Sequence, residues 1–406
     1  MDIKKVTVVG ANGTMGYNAA AMFASFGNAK VYMVSRDIQK SRNAVDKAIK
    51  SVRAESIRKN LIPCDYSQLE ECVSQSDLVF ESVAENIEIK KEITKKIGEC
   101  ATEGTIIATG TSSLSIKEIA DVLPEVHRAN YYGMHFFNPP YSMPLLELIP
   151  NSIVGGTEKL KEYLESVLLR TVVVCKDSAA FIANRIGFQF MNMALQYAEK
   201  YKEDGGIDYI DSILGTFTGR AMTPCATVDF VGLDVHKAIV DNLLINTDDF
   251  ANKTFELPEY ITGLINEGKL GKKTNCGLFK TEITYDGKKI RLVYDIKSKR
   301  YVSVRKYNIS FATNMNRLLN NGEYKEAFKS LLDDDSKEAK ICKEFLKDYV
   351  DYSLYVVNEV CDEISMVDDA MATGFNWCPP LALSNAIFGT NYPTKYDFRS
   401  FFKVGR

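Results

Sequence analysis

The sequence predicts an α/β Rossmann-type N-terminal domain followed by a mainly α-helical C-terminal region with two tandem repeats. Three observations carry that expectation. Short apolar runs alternate with helical stretches as far as Cys175, and a glycine-rich turn sits between the first run and the first helix. Beyond Asp177, apolar and aromatic residues recur at helical spacing, as at Phe190, Met193, Tyr197 and Tyr201. The implied division is residues 1–176 for the α/β domain, 177–281 for the first helical copy, 282–305 for a β excursion and 306–406 for the second copy.

Composition sets the outer limits. At 406 residues, with 46% hydrophobic and 25% charged content, the chain can bury two or three cores. A formal net charge of -3 gives no general pull toward nucleic acid, and no long basic run marks a membrane surface. The apolar run in the opening MDIKKVTVVG is too short for a signal peptide or a membrane span, so a cytoplasmic location is expected. Nine widely spaced cysteines without a Cys-x-x-Cys pair fit reduced thiols and imply no metal.

Lys5 to Gly10 is a β run, Ala19 to Phe26 is helical in composition, and Lys30 to Val34 is a second strand. Between the first two lies Gly10-Ala-Asn-Gly13-Thr14-Met15-Gly16, whose glycines would let the backbone approach a pyrophosphate at a helix N-terminus. Its spacing is one residue longer than G-x-G-x-x-G, which predicts a bulge at Asn12. About 20 residues on, where a carboxylate would bond the ribose hydroxyls of NAD, stand Ser35 and Arg36. That pair suits a 2′-phosphate and leans the cofactor toward NADP over NAD; the alternatives are that Asp37 supplies the carboxylate or that Arg36 stacks on the adenine. Residues 37–60 read as one long helix bearing Lys40, Arg42, Lys47, Lys50, Arg53, Arg58 and Lys59, ordinarily a solvated face. Asp77 to Asn86 is a strand ending in polar residues, Ile87 to Ile97 a helix and Thr105 to Ala108 a further strand. Ser112 then lies beyond a strand's carboxyl end, where doubly wound sheets bind ligands. Ser115-Ile-Lys-Glu118 is a capping box, which makes Ser115 structural.

Met134 to Phe137 reads as the end of a buried strand, Asn138-Pro139-Pro140 as a turn and Leu145 to Ile149 as a returning strand. His135 and Glu147 could therefore face each other. A carboxylate on one ring nitrogen would fix the tautomer and favour the imidazolium that forms when the other nitrogen takes a proton. A histidine flanked by phenylalanines can equally be a packed structural residue. Ile153-Val154, a helix over Thr157 to Leu169 and a strand over Thr171 to Cys175 complete the α/β domain.

The phrase HFFNPP, followed by LELIP, resembles the 3-hydroxyacyl-CoA dehydrogenase family. Further segments are similar: the glycine turn to the family's GAGTMG, VAEN to its VEN, TGTSSLS to its SNTSSLS with Gly110 for Asn, FIANR to its FIVNR and GKKTNCGLF to its GKKTGEGFY. The resemblance spans nearly the whole chain. It implies oxidation of an (S)-3-hydroxyacyl-CoA to the 3-ketoacyl-CoA, or the reverse, by hydride transfer with NAD or NADP. His135 would be the base, Glu147 its orienting carboxylate, and Ser112 and Asn184 hydrogen-bond partners of the reacting oxygen. Glu85, Lys90, Asn138 and Lys273, or its neighbour Lys272, would join Gly10, Gly13, Thr14, Met15, Gly16, Ser35 and Arg36 around the cofactor, with Ser51 and Arg58 on the CoA moiety. Asn184 could instead simply bond nearby backbone, and Lys90 could be a surface lysine. Two other readings stay open: a dehydrogenase of a free 3-hydroxy acid, and an inactive nucleotide-binding relative.

The helical region repeats itself. Ile210-Asp211 through Ala221-Met-Thr-Pro224 matches Val367-Asp368 through Trp377-Cys-Pro-Pro380, and Val350 falls where Asn184 stands. The second copy is thus expected to be degenerate and structural. It could occupy the surface through which single-copy relatives dimerise, so a monomer with an internal pseudo-dimer or a homodimer is expected. Asp286-Gly287 signals a hairpin between the copies.

Overall fold

The computed structural model describes residues 1–151 and 156–402; Ile153-Val154, counted above in the α/β domain, lies outside the described residues. The chain divides into two compact units, residues 1–182 with 358–362, and residues 183–357 with 363–406. Each has its own architecture.

The first unit alternates strands and helices: β1 (Lys5–Val9), α1 (Thr14–Ser25), β2 (Lys30–Ser35), α2 (Ile38–Val52), β3 (Leu61–Asp65), α3 (Leu69–Ser74), β4 (Leu78–Glu81), α4 (Ile87–Cys100), β5 (Ile106–Thr109), α5 (Ile116–Ala120), α6 (Glu125–Arg128), β6 (Tyr131–Phe136), β7 (Leu145–Pro150), α7 (Thr157–Ser166) and β8 (Thr171–Val174). The strands form one sheet in the order β3-β2-β1-β4-β5-β6-β7-β8. It is parallel from β3 to β6, as a Rossmann-type sheet should be, and turns antiparallel only where β7 returns beside β6. Strands covered on both faces read as continuous apolar runs, and β1, β4 and β5 do. Beneath them α1 is rich in alanine, with Ala19 to Ala24 buried, so helix and sheet approach closely.

Two expectations need correction. The long helix predicted over 37–60 ends at Val52, because Arg53 adopts a left-handed conformation (φ 53°) and a short 3₁₀ turn over Glu55–Asn60 follows. After it comes β3, which the sequence reading passed over; Pro63 within it is tolerated because β3 is the sheet edge.

The glycine turn is tight. Gly10 sits at φ +83°, and its amide and that of Ala11 donate to the Val34 carbonyl at 2.9 and 3.1 Å. A Cβ on Gly10 would lie 2.4 Å from the Ser82 carbonyl oxygen, and one on Gly16 would lie 2.4 Å from the Gly10 carbonyl oxygen. Glycine is required at both, once for conformation and twice for space. The turn thus joins the ends of β1, β2 and β4, and Asn12 is its exposed tip.

The second unit holds α8 (Ala183–Lys200), α9 (Ile207–Ile213), α10 (Pro224–Val231), α11 (Leu233–Asn246), α12 (Glu259–Asn266), an antiparallel sheet of β9 (Phe279–Ile283), β10 (Lys289–Asp295) and β11 (Arg300–Ser303), then α13 (Ser310–Asn320), α14 (Tyr324–Leu332), α15 (Lys337–Val360), α16 (Ser365–Ala370) and α17 (Pro380–Phe388). The last residues of α15 belong to the first unit. The predicted hairpin is present, with Gly287 at φ +79° and the Thr284 amide donating to the Lys288 carbonyl. Two aspartates play matching parts. Asp211 accepts from the Thr223 hydroxyl and the Cys225 and Ala226 amides at the start of α10, while Asp368 accepts from the Leu381 amide in the first turn of α17 and from the Thr394 hydroxyl. Burial pushes both carboxyls up to about 6.

Candidate active site

His135 and Glu147 are cross-strand partners in the β6–β7 register, which turns both side chains to one face of the sheet. Their separation is 2.6 Å from His135 Nδ1 to Glu147 Oε2, with the His135 side chain 7% and the Glu147 side chain 0% exposed. An ionised carboxylate can only accept, so Nδ1 carries the hydrogen and Nε2 keeps its lone pair. The other carboxylate oxygen, Oε1, accepts the Ile182 amide at 3.0 Å. Glu147 is therefore fixed at both oxygens. Phe137 and Phe181 pack around the imidazole, with ring centroids at 4.7 and 5.7 Å. The result is an oriented imidazole with a dry surround.

The other two histidines are unsuited to proton transfer. His127 is buried with Nδ1 unpartnered. His236 is fully buried, its Nε2 paired with Asn192 Oδ1 at 2.9 Å, and burial drives its pKa from 6.5 down to about 3. The sign of the consequence is fixed. Stability from the neutral ring is complete above pH 6.5 and is lost as pH falls toward 3, at up to about 1.4 kcal/mol per pH unit. A His236→Gln variant escapes that loss, so its deficit against the parent chain is expected to narrow between about pH 7.5 and about pH 5.5 in urea unfolding. A constant deficit would refute the neutral assignment.

A second polar cluster lies at the ends of β4 and β5. Lys90, on α4, is buried, not a surface lysine: its Nζ donates to Glu81 Oε1 and Oε2 at 3.0 and 3.2 Å and lies 3.5 Å from Glu85 Oε2. Glu81 also accepts from the Val83 amide and the Thr109 hydroxyl. Glu85 Oε1 accepts from the Thr111 hydroxyl at 2.6 Å and the Ser112 amide at 2.8 Å, so it positions the loop that carries Ser112. Ser112 itself is half-buried. The sequence pointed to Glu85 and Lys90 but not to Glu81, whose only signal was a carboxylate closing an apolar strand. Ser115 caps α5, accepting the Glu118 amide and donating its hydroxyl to Asp177, but the expected capping box forms only by half, since the Glu118 carboxylate pairs with Lys91.

The glycine turn opens onto a cavity of about 860 Å³, lined among others by Gly10, Gly13, Ser35, Arg36, Lys40, Tyr66 and Ser82. Its size suits a nucleotide. Thr14 and Met15 begin α1, Gly16 is buried behind the turn, and Asn138 is exposed after β6. Ser51 donates to the Ala48 carbonyl, and the exposed Arg58 is engaged by Glu55 and by Asp46. In the second unit Asn184 is buried in the first turn of α8, and Lys273 is exposed and paired with Asp234. Asp37 caps α2 through one carboxylate oxygen, Oδ1, which accepts the Gln39 and Lys40 amides at 2.7 and 3.0 Å.

Comparison with known proteins agrees with this geometry. Residues 5–178 match the family described as 3-hydroxyacyl-CoA dehydrogenase, NAD binding domain, and residues 181–281 match the 3-hydroxyacyl-CoA dehydrogenase C-terminal domain. The human mitochondrial hydroxyacyl-coenzyme A dehydrogenase is 31% identical over 294 residues, covering 68% of this chain and 91% of the human one. The structure of (S)-3-hydroxybutyryl-CoA dehydrogenase from Ralstonia eutropha is 28% identical, with a TM-score of 0.59 over 68% of this chain and 98% of that one. The 3-hydroxybutyryl-CoA dehydrogenase of Escherichia coli is 21% identical but matches in fold with a TM-score of 0.70 over 95% of this chain and 91% of that one. The chain spans about half the length of the longer curated relatives it matches, from Rickettsia and Bacillus. A glycine turn set for a dinucleotide, a histidine oriented by a buried carboxylate and matches to both domains lead to one conclusion: the chain belongs to the 3-hydroxyacyl-CoA dehydrogenase family.

Proposed function

We propose that the chain interconverts an (S)-3-hydroxyacyl-CoA and the 3-ketoacyl-CoA. The observation that carries this reading is the His135–Glu147 pair, with Nδ1 committed to the carboxylate at 2.6 Å and Nε2 left as the base. The residues present fit a nicotinamide dinucleotide: the Gly10 and Gly16 positions admit no Cβ, and the cavity beside them is of nucleotide size. When bound, that cofactor accepts or supplies the hydride at its nicotinamide ring. His135 takes the proton of the 3-hydroxyl through Nε2 as the C–H bond is lost, and returns it in the reverse direction. Glu147 holds the ring and stabilises the imidazolium. Ser112 and Asn184 take the role of hydrogen-bonding the reacting oxygen, Glu85, Lys90, Asn138 and Lys273 sit on the cofactor side, and Ser51 and Arg58 serve the CoA end. Ser35 and Arg36, in place of an acidic residue, favour NADP, and with it the reductive direction. A cytoplasmic setting completes the reading.

The matched aspartate caps of α10 and α17, and the bridge that pairs Arg220 with Trp377, support tandem helical copies with a structural second one. A monomer in sedimentation is the expected result, and a homodimer would count against the internal pseudo-dimer. One observation favours a different substrate. Arg58 is already held by two carboxylates, as would be expected if no CoA phosphate needed it. Oxidation of (S)-3-hydroxybutyryl-CoA and of free 3-hydroxybutyrate, each with NAD and NADP, separates the two readings. Turnover of the thioester alone is predicted; turnover of the free acid alone would move the assignment to a hydroxy-acid dehydrogenase.

A further inference from the structure

We infer that Ser35, Arg36 and Lys40 together form a subsite for the 2′-phosphate of an adenine dinucleotide, with Lys40 the specificity-determining cation. This rests on the cofactor reading above and adds to it the group that discriminates between the two dinucleotides. The strongest sign is Ser35. It closes β2, is 1% exposed, lines the cavity and has a hydroxyl without a hydrogen-bond partner, whereas buried hydroxyls are ordinarily bonded. The preceding residue, Val34, anchors the glycine turn through its carbonyl, so this hydroxyl stands directly beside the phosphate-binding backbone.

Lys40 is the second sign. It lies in the first turn of α2, just after the cap Asp37, at the end of the helix where the dipole favours anions. Among the described residues no carboxylate lies within ion-pair distance of Lys40 or Arg36, although both line the cavity. The nearby acids are engaged elsewhere. Asp37 caps α2, Asp65, opposite Ser35 in the β2–β3 register, accepts from the amide and hydroxyl of Ser67, and Glu92 is paired with Lys96. Two cations without an ion-pair partner and an unpaired hydroxyl thus line one cavity. A phosphate monoester satisfies all three, and a ribose 2′-hydroxyl satisfies only the serine.

The test separates the subsite from the catalytic reading by measuring binding without turnover. Calorimetric titration of the full chain with adenosine 2′,5′-bisphosphate and with 5′-AMP is expected to give at least about tenfold tighter binding of the bisphosphate, since charge-assisted bonds to phosphate are among the strongest. Lys40→Ala should remove most of that preference and Lys40→Arg restore it, with the affinity for 5′-AMP as the control for folding. Equal affinities in the parent chain, or a preference unchanged in Lys40→Ala, would overturn the subsite. Preference for the bisphosphate without turnover of acetoacetyl-CoA would support the subsite and sink the dehydrogenase assignment; turnover with NADH but not NADPH would do the reverse.

Discussion

Replacing His135 with glutamine is expected to lower kcat by about 10²–10⁴-fold while leaving the affinity for the reduced cofactor within about twofold of the parent chain. The asymmetry follows from position. His135 does not line the nucleotide cavity beside the glycine turn; it stands on β6 with Nδ1 tied to Glu147 at 2.6 Å, so its loss is expected to remove the proposed proton acceptor and no contact to that cavity. Glutamine keeps similar bulk against Phe137 and Phe181, which limits collapse of the surround. Glu147→Gln should cost less, because the base remains, although its tautomer is no longer enforced. Stopped-flow turnover and fluorescence titration of the same samples provide both readouts. Equal losses of turnover and cofactor affinity in His135→Gln would mean that the histidine is a packing residue.

The second large effect is on stability. Lys90→Met is expected to destabilise the chain by about 3–5 kcal/mol, because it leaves Glu81 as a buried, uncompensated carboxylate. Both side chains are 1% exposed and lie 3.0 Å apart. Hydrogen bonds from Thr109 and the Val83 amide hold Glu81 in place but do not neutralise it. The double variant Lys90→Met with Glu81→Gln should recover more than half of the loss, since it removes the stranded charge. Urea unfolding of the three chains tests this. A single-variant cost below about 1 kcal/mol, the range of exposed pairs, would show that water reaches the cluster.

These two sites differ in how far they could be read in advance. The histidine and its carboxylate were legible because a Pro-Pro turn separates two apolar runs, and a hairpin-like return makes their register a local matter. The glycine turn was legible for the same reason: strand, turn and helix follow one another directly. The Lys90 cluster was not. Its partner Glu81 comes from β4, Thr109 from the neighbouring β5 and Lys90 from α4, and only the strand order of the sheet brings them together. Arg53 gave no warning of the helix break, since the left-handed residue there is not glycine. Lys40 looked like one charge among several on a solvated face, and its meaning depends on Ser35 and on Asp37 being engaged in a cap. Periodicity finds elements; it does not find which charges the packing leaves without partners.

The most direct measurement is the oxidation of NADPH and of NADH by acetoacetyl-CoA with the purified chain, followed through the absorbance of the reduced nicotinamide. The expected result is reduction of the thioester to (S)-3-hydroxybutyryl-CoA, with NADPH used faster than NADH. Oxidation of NADH alone would keep the chemistry and discard the role given to Ser35, Arg36 and Lys40. No oxidation of either cofactor, with this thioester or longer ones, would contradict the central claim that His135 and Glu147 serve a hydride-transfer reaction on 3-ketoacyl-CoA.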